Sequence, residues 1–156
     1  MKVTERRKQR LSKLSYPLLI AKAIAMRSTC LRRRYGCVIT KNNRIVATGY
    51  NGAPRGEDNC CDLGICQRPR AQRYSGYETC VAVHAEQNAM INASKEELEG
   101  AVLYLFCLEW SEAKDDWVDC AEDVHPCNLC MRMIKNSGIS KVITSSGGIY
   151  VIAQNS

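Results

Sequence analysis

The sequence has no long hydrophobic run. None of the apolar stretches among its 156 residues approaches the roughly 20 residues that a membrane-spanning helix requires. The charged start, residues 1–13, is not followed by the cleavage pattern of a secretory signal peptide. We therefore expect a cytoplasmic protein that does not enter a membrane.

Extreme composition and repetition are also absent. The chain is 46% hydrophobic and 24% charged, which is close to the average for folded proteins and excludes wholesale disorder. It has no internal repeat and no low-complexity tract. At this length one compact domain is the expectation. We assign residues 1–156 to a single domain, with a basic N-terminal extension at residues 1–13 and an acidic insert at residues 109–125.

Cysteine, by contrast, is abundant. In the reducing cytosol, clustered cysteines bind metal or take part in chemistry more often than they form disulfides. The sequence therefore favours metal binding, with a disulfide framework as the less favoured alternative. The ten cysteines are Cys30, Cys37, Cys60, Cys61, Cys66, Cys80, Cys107, Cys120, Cys127 and Cys130.

Positive charge is concentrated in the first half of the chain. Residues 1–80 hold 17 Lys and Arg against 5 Asp and Glu, a net charge of +12, whereas residues 81–156 hold 5 against 11, a net charge of −6. A basic surface of this kind can contact phosphate groups. The same charges are equally consistent with the solvated faces of a helix end and a loop.

The hydrophobic pattern alternates between helical and extended segments. This order predicts an α/β fold in which helices cover a mixed sheet. Residues 50–80 show no clear hydrophobic periodicity. A loop of this length in a small domain is expected to be held by a cross-link or to have a function. The predicted helices are residues 14–27, 83–93 and 126–136, and the predicted strands are residues 36–40, 44–49, 101–108, 141–144 and 149–153.

The most specific chemical motif combines one histidine with two cysteines. His84, Cys127 and Cys130 supply three ligands for a tetrahedral zinc, and the fourth position of such a site is open to water. Zinc lowers the pKa of this water, and a nearby carboxylate can then carry protons. Glu86, two residues after His84, suits that role. The alternative is a closed structural zinc with a fourth cysteine and an uninvolved Glu86.

These motifs resemble the cytidine and deoxycytidylate deaminase superfamily. The resemblance covers roughly residues 14–146 and includes His84-Ala85-Glu86 together with Pro126-Cys127-Asn128-Leu129-Cys130. Residues 30–39, 49–56 and 84–90 are most similar to the deoxycytidylate (dCMP) branch.

The resemblance implies a three-layer α/β/α fold with a mixed sheet of about five strands. It also implies a zinc-dependent hydrolase that converts dCMP to dUMP and ammonia, with Glu86 as proton shuttle. Asn51 would bind the sugar or the ring of the substrate. Arg55 is a candidate for the 5′-phosphate, although it could equally be an exposed loop arginine. A homo-oligomer is expected as well.

The resemblance implies a second, structural zinc. Its ligands would be Cys30 and Cys60, joined by Cys66 and Cys80 in a closed four-cysteine site. Cys61 could replace its neighbour Cys60. The alternative is that these cysteines are reduced thiols, the interpretation that best fits Cys37 and Cys107 on the predicted strands.

Two features depart from the family pattern. The acidic insert could be a lid, a partner surface or a disordered excursion. The aromatic and acidic segment that usually follows the strand at residues 141–144 is missing, which bears on substrate choice. Two other functions therefore stay open: deamination of tRNA, other RNA or another nucleobase, and a zinc-stapled binding module without catalysis.

Overall fold

The protein is built around a single mixed β-sheet. The computed structural model describes residues 3–68 and 75–153. Its strands are β1 (Arg33–Lys41), β2 (Arg44–Tyr50), β3 (Val102–Ser111), β4 (Asp116–Asp119), β5 (Lys141–Thr144) and β6 (Ile149–Val151). The α-helices are α1 (Glu5–Lys8), α2 (Ser15–Ala25), α3 (Cys60–Leu63), α4 (Ala85–Ile91), α5 (Lys95–Leu98) and α6 (Asn128–Ser137).

The strands follow the order β2-β1-β3-β5-β6. β3 and β5 are parallel and are joined through α6, whereas the other neighbouring strands are antiparallel. β1 and β2 form a tight hairpin because Asn42 and Asn43 both adopt left-handed conformations, with φ of 51° and 60°.

Helices cover both faces of the sheet. α2 packs on one face through Ala21 and Ala25, and α4 and α6 pack on the other, where Ile134 of α6 is fully buried. Gly49 of β2 permits the close approach of α4, because a Cβ at that position would lie 2.4 Å from the backbone nitrogen of Ala89. The predicted α/β fold with a mixed sheet is confirmed, and β4 adds a sixth strand.

The acidic insert is an ordered extension of the sheet. β3 continues to Ser111 and pairs with β4, so that Trp110 and Trp117 lie opposite each other with ring centroids 5.6 Å apart. The guanidinium of Arg34 stacks 4.1 Å from the centroid of Trp117. Lys22 forms a 2.6 Å ion pair with Asp119. Of the three alternatives left open for the insert, a disordered excursion is therefore excluded for these residues.

The two helices that carry the zinc motif each begin two residues later than predicted. His84 is extended, with φ −73° and ψ 155°, and precedes α4. Cys127, with φ −65° and ψ 165°, precedes α6 in the same way. Both residues are thus N-caps, whose side chains lie beside the first turn of the helix. None of the described helices combines the length and the hydropathy needed to cross a bilayer.

Candidate active site

The starts of α4 and α6 bring three potential metal ligands together. Nδ1 of His84 lies 3.5 Å from Sγ of Cys127 and 3.4 Å from Sγ of Cys130. The three ligand atoms all lie within 4.8 Å of one another. Tetrahedral zinc, with Zn–S near 2.3 Å and Zn–N near 2.0–2.1 Å, would separate its ligand atoms by about 3.5 to 3.8 Å. The donor set and its spacing therefore fit zinc.

The local fold fixes each of these ligands. The backbone N–H of His84 donates to Oε1 of Gln87 at 2.9 Å, which orients the start of α4. The thiol of Cys127 accepts from the backbone N–H of Cys130 at 3.5 Å, as an N-cap does. Because α4 and α6 pack on the same face of the sheet, their first turns meet at one edge of the core.

Electrostatics in the group favour a thiolate. Hydrogen bonds from Cys130 and His84 lower the pKa of Cys127 to about 4, although burial acts in the opposite direction. The hydrogen bond that Cys130 shares with Cys127, together with burial, raises the pKa of Cys130 well above its ordinary value. The hydrogen bond to Cys127 raises the pKa of His84. These contacts favour the thiolate form of Cys127, which is the form in which cysteine binds a cation.

Glu86 lies beside the three ligands and is almost completely buried, with 4% of its surface exposed. Burial raises the pKa of its carboxyl group, while the charge of His84 acts in the opposite direction. A buried carboxyl that retains a proton closer to neutral pH is suited to proton transfer. Glu86 also lines the same cavity as His84 and Cys127, a cleft of about 280 Å³.

Asn51 lies in the cavity wall, and its side chain is held by the protein. Its Oδ1 accepts from Oγ of Ser28 at 2.6 Å and from the backbone N–H of Tyr35 at 2.8 Å. Its Nδ2 donates to the carbonyl of Arg33 at 3.0 Å. One amide N–H is left to face a ligand. Arg55, in contrast, is exposed and is not among the residues that line the cavity.

Two cysteines of the long loop, together with Cys30, border the same cavity. Cys30, Cys66 and Cys80 line it. Burial is the largest cause that raises the pKa of Cys60, and the electrostatic effect of these three cysteines raises it further. The four predicted ligands of a second zinc are thus neighbours. Within residues 3–68 and 75–153, however, no three of them have sulfur atoms that all lie within 4.8 Å of one another. Cys61 is exposed, whereas Cys37 and Cys107 are fully buried.

Several residues that line the cavity were not identified from the sequence. Arg32, Arg33 and Arg68 contribute guanidinium groups, and Tyr77 contributes a ring that meets His84 edge-on, with centroids 5.1 Å apart. Arg68 and Tyr77 belong to the segment without periodicity, so no pattern singled them out. Arg32 and Arg33 lie within the stretch 30–39, but only the structure distinguishes them from Arg34, which does not line the cavity.

The sheet and the buried His-Cys-Cys group define an α/β protein with a metal centre at the start of two helices. Residues 11–146 match the family model of the cytidine and deoxycytidylate deaminase zinc-binding region. The chain belongs to this family, and the family prediction made from its motifs is confirmed.

The curated proteins that are similar to this chain include deoxycytidylate deaminases. The chain is 38% identical over 131 residues to the deoxycytidylate deaminase of Schizosaccharomyces pombe, a match that covers 83% of this chain and 35% of the relative. It is 38% identical over 135 residues to the deoxycytidylate deaminase of Mycobacterium phage D29, covering 82% of this chain and 90% of the relative. The chain spans about a third of the length of the two yeast relatives that it matches.

Solved structures agree on the fold. The dCMP deaminase of the cyanophage S-TIM5, solved with dCMP and dUMP, superposes with a TM-score of 0.58 at 23% identity, covering 92% of this chain and 83% of that chain. At this identity the match supports the architecture alone.

Proposed function

We propose that the protein is a zinc-dependent hydrolase that deaminates a cytosine nucleotide, with dCMP as substrate and dUMP and ammonia as products. The observation that carries this proposal is the buried carboxyl of Glu86 in one cavity with the His84, Cys127 and Cys130 group. The relatives named deoxycytidylate deaminase support the choice of substrate.

In this proposal His84, Cys127 and Cys130 hold the zinc. When bound, zinc supplies Lewis-acid chemistry that makes water a nucleophile near neutral pH. Glu86 takes one proton from the attacking water and passes it to the ring nitrogen next to C4. It then takes the remaining proton of the new C4 hydroxyl and gives it to the amino group, so that the C4–N bond breaks and ammonia leaves as the C4 carbonyl forms. Burial raises the pKa of the Glu86 carboxyl above its ordinary value, which suits a group that both accepts and donates a proton. Asn51 offers its remaining amide N–H to the nucleotide.

The test follows the absorbance of the zinc-loaded protein on dCMP and identifies dUMP by chromatography. Glu86→Gln keeps the shape of the side chain but removes the proton shuttle, so we expect kcat to fall by about 10²- to 10⁴-fold. Glu96→Gln, an exposed carboxyl of α5, is the matched control and should retain full activity. A Glu86→Gln protein that retains full activity on dCMP would refute the mechanism.

We further propose a second zinc on Cys30, Cys60, Cys66 and Cys80. The proximity of these residues beside the cavity supports it, and their sulfur atoms would have to draw closer around the ion. Elemental analysis of the purified protein should find two zinc ions per chain. A wild-type protein that contains only one zinc ion, with the same content in Cys66→Ser, would exclude this site.

A homo-oligomer also remains a proposal. Tyr16, Leu19 and Met26 form an exposed apolar stripe on the outer side of α2, with between 40% and 51% of their surfaces accessible. Such a stripe favours association. Solution scattering at micromolar concentration should therefore give a mass above that of one chain, and a monomeric mass would contradict the proposal. The cytoplasmic location stays a prediction.

A further inference from the structure

The cavity holds three arginines, and their surroundings differ. The guanidinium of Arg33 lies 2.8 Å from a carboxylate oxygen of Glu122 and 3.8 Å from one of Glu109. Both carboxylates belong to the acidic insert, and together they offset the charge that Arg33 could offer to an anion. Arg32 has an exposed side chain. Arg68 is half-buried in the cavity wall.

Arg68 is held in a defined orientation. Its guanidinium carbon lies 4.6 Å from the centroid of the Tyr77 ring, a cation–π contact. Its Nη2 donates to the carbonyl of Ser75. The stacking face and the backbone contact restrict the side chain, and a restricted guanidinium loses less entropy when it binds an anion.

Tyr77 links this arginine to the metal centre. Its ring meets His84 with centroids 5.1 Å apart on one side and Arg68 on the other. The guanidinium therefore lies within about 10 Å of the imidazole. A nucleoside monophosphate has a matching arrangement, because its base would lie at the metal centre and its phosphate at the guanidinium of Arg68.

We propose that Arg68 binds the 5′-phosphate of the substrate and that Tyr77 positions it, so that this pair selects nucleotides over nucleosides. The proposal rests on the proposed deamination of a cytosine nucleotide. Arg68 and Tyr77 both lie between Cys66 and Cys80, which also line the cavity. A second zinc on these cysteines would therefore help to hold Arg68 and Tyr77 in place for the phosphate.

The test compares dCMP with deoxycytidine, which lacks the phosphate. Arg68→Gln removes a charge-assisted contact, so we expect kcat/KM for dCMP to fall by about 10- to 100-fold, mainly through KM. The value for deoxycytidine should not change. Equilibrium binding of dUMP should weaken by a similar factor, whereas binding of deoxyuridine should not. Tyr77→Phe keeps the ring and should retain the preference for the nucleotide, and Tyr77→Ala should lose part of it.

Arg34→Gln is the matched control. It removes the same charge from a neighbouring element, but Arg34 does not line the cavity and instead stacks on Trp117. We expect it to leave the ratio of the two substrates unchanged. Arg68→Lys retains the charge without the planar fork and should recover part of the loss. Zinc content and circular dichroism establish that each variant is folded.

The outcomes separate this inference from the function on which it rests. A wild-type protein that deaminates neither dCMP nor deoxycytidine overturns the proposed function and the assignment of Arg68 with it. A wild-type protein that deaminates dCMP, with an Arg68→Gln variant that binds dUMP normally, overturns the assignment of Arg68 alone. Equal losses on both substrates, or the same loss in Arg34→Gln, would also overturn it.

Discussion

The two groups of candidate zinc ligands are built on different kinds of structure. His84, Cys127 and Cys130 stand at the starts of helices that pack on the sheet, and their ligand atoms already lie within 4.8 Å of one another. The four loop cysteines come from segments with little regular structure and are neighbours without that compactness. The first group is thus preorganised by the core. The second depends on its metal to become a closed site.

The loss of a preorganised ligand should have the largest effect. Cys130→Ser removes one of two thiolates from the proposed catalytic zinc, so deamination of dCMP should fall to background. The fold should persist, because α6 is held by buried side chains and not by the metal. Activity and circular dichroism measure the two effects. Cys120→Ser, a half-buried cysteine outside both groups, is the control and should remain active.

Loosening the helix under the ligands is expected to come next. Ile134 of α6 is fully buried against the sheet, and Ile134→Ala should lower the free energy of unfolding by about 2 to 5 kcal/mol through the lost contacts and the cavity left behind. Urea denaturation measures this change. Leu129→Ala, an exposed residue of the same helix, should change it by less than about 0.5 kcal/mol. Equal effects would show that α6 is not anchored as described.

Disruption of the loop group should be milder for catalysis. Cys66→Ser should reduce the zinc content from two ions to one and raise KM for dCMP several-fold, because Arg68 and Tyr77 lie between Cys66 and Cys80. The value of kcat should change little, since the helix starts do not depend on this loop. A collapse of kcat at unchanged KM would mean that the two groups are not independent.

The acidic insert provides the smallest expected change. Asp119→Asn removes the ion pair with Lys22, whose two side chains are 60% and 41% exposed. Solvent screening limits such a pair to less than about 1 kcal/mol of unfolding free energy. Thermal denaturation should therefore show only a small shift. A large shift would indicate that the hairpin of β3 and β4 supports the core.

The same contrast explains what could be predicted from the sequence. Helices α2, α4 and α6, the strands other than β4 and the proximity of the His-Cys-Cys group follow from period and spacing, because side chains at the start of a helix have a fixed relation to its axis. The four-residue helices α1, α3 and α5 were not predicted. β4 was not predicted, because Asp116–Asp119 is a short, acidic segment. It forms a strand because β3 extends alongside it and pairs with it.

The contents of the cavity were harder to predict. Arg68 and Tyr77 are brought together by contacts within an irregular loop, and no sequence period encodes such contacts. Arg55 was selected because a motif contains it, yet its side chain points to solvent. Motif membership thus identified the ligands at helix starts correctly as neighbours, but it did not identify which arginines face the cavity.

X-ray absorption at the zinc edge, recorded on Cys66→Ser protein that retains one zinc, distinguishes an open zinc site from a closed one. We expect two sulfur ligands at about 2.3 Å and two nitrogen or oxygen ligands at about 2.0 to 2.1 Å, since His84 and one water complete the site. Addition of dCMP should perturb these ligands. A zinc bound by four sulfur atoms and unaffected by dCMP would refute the proposed catalytic zinc, because a closed site leaves no position for the reacting water.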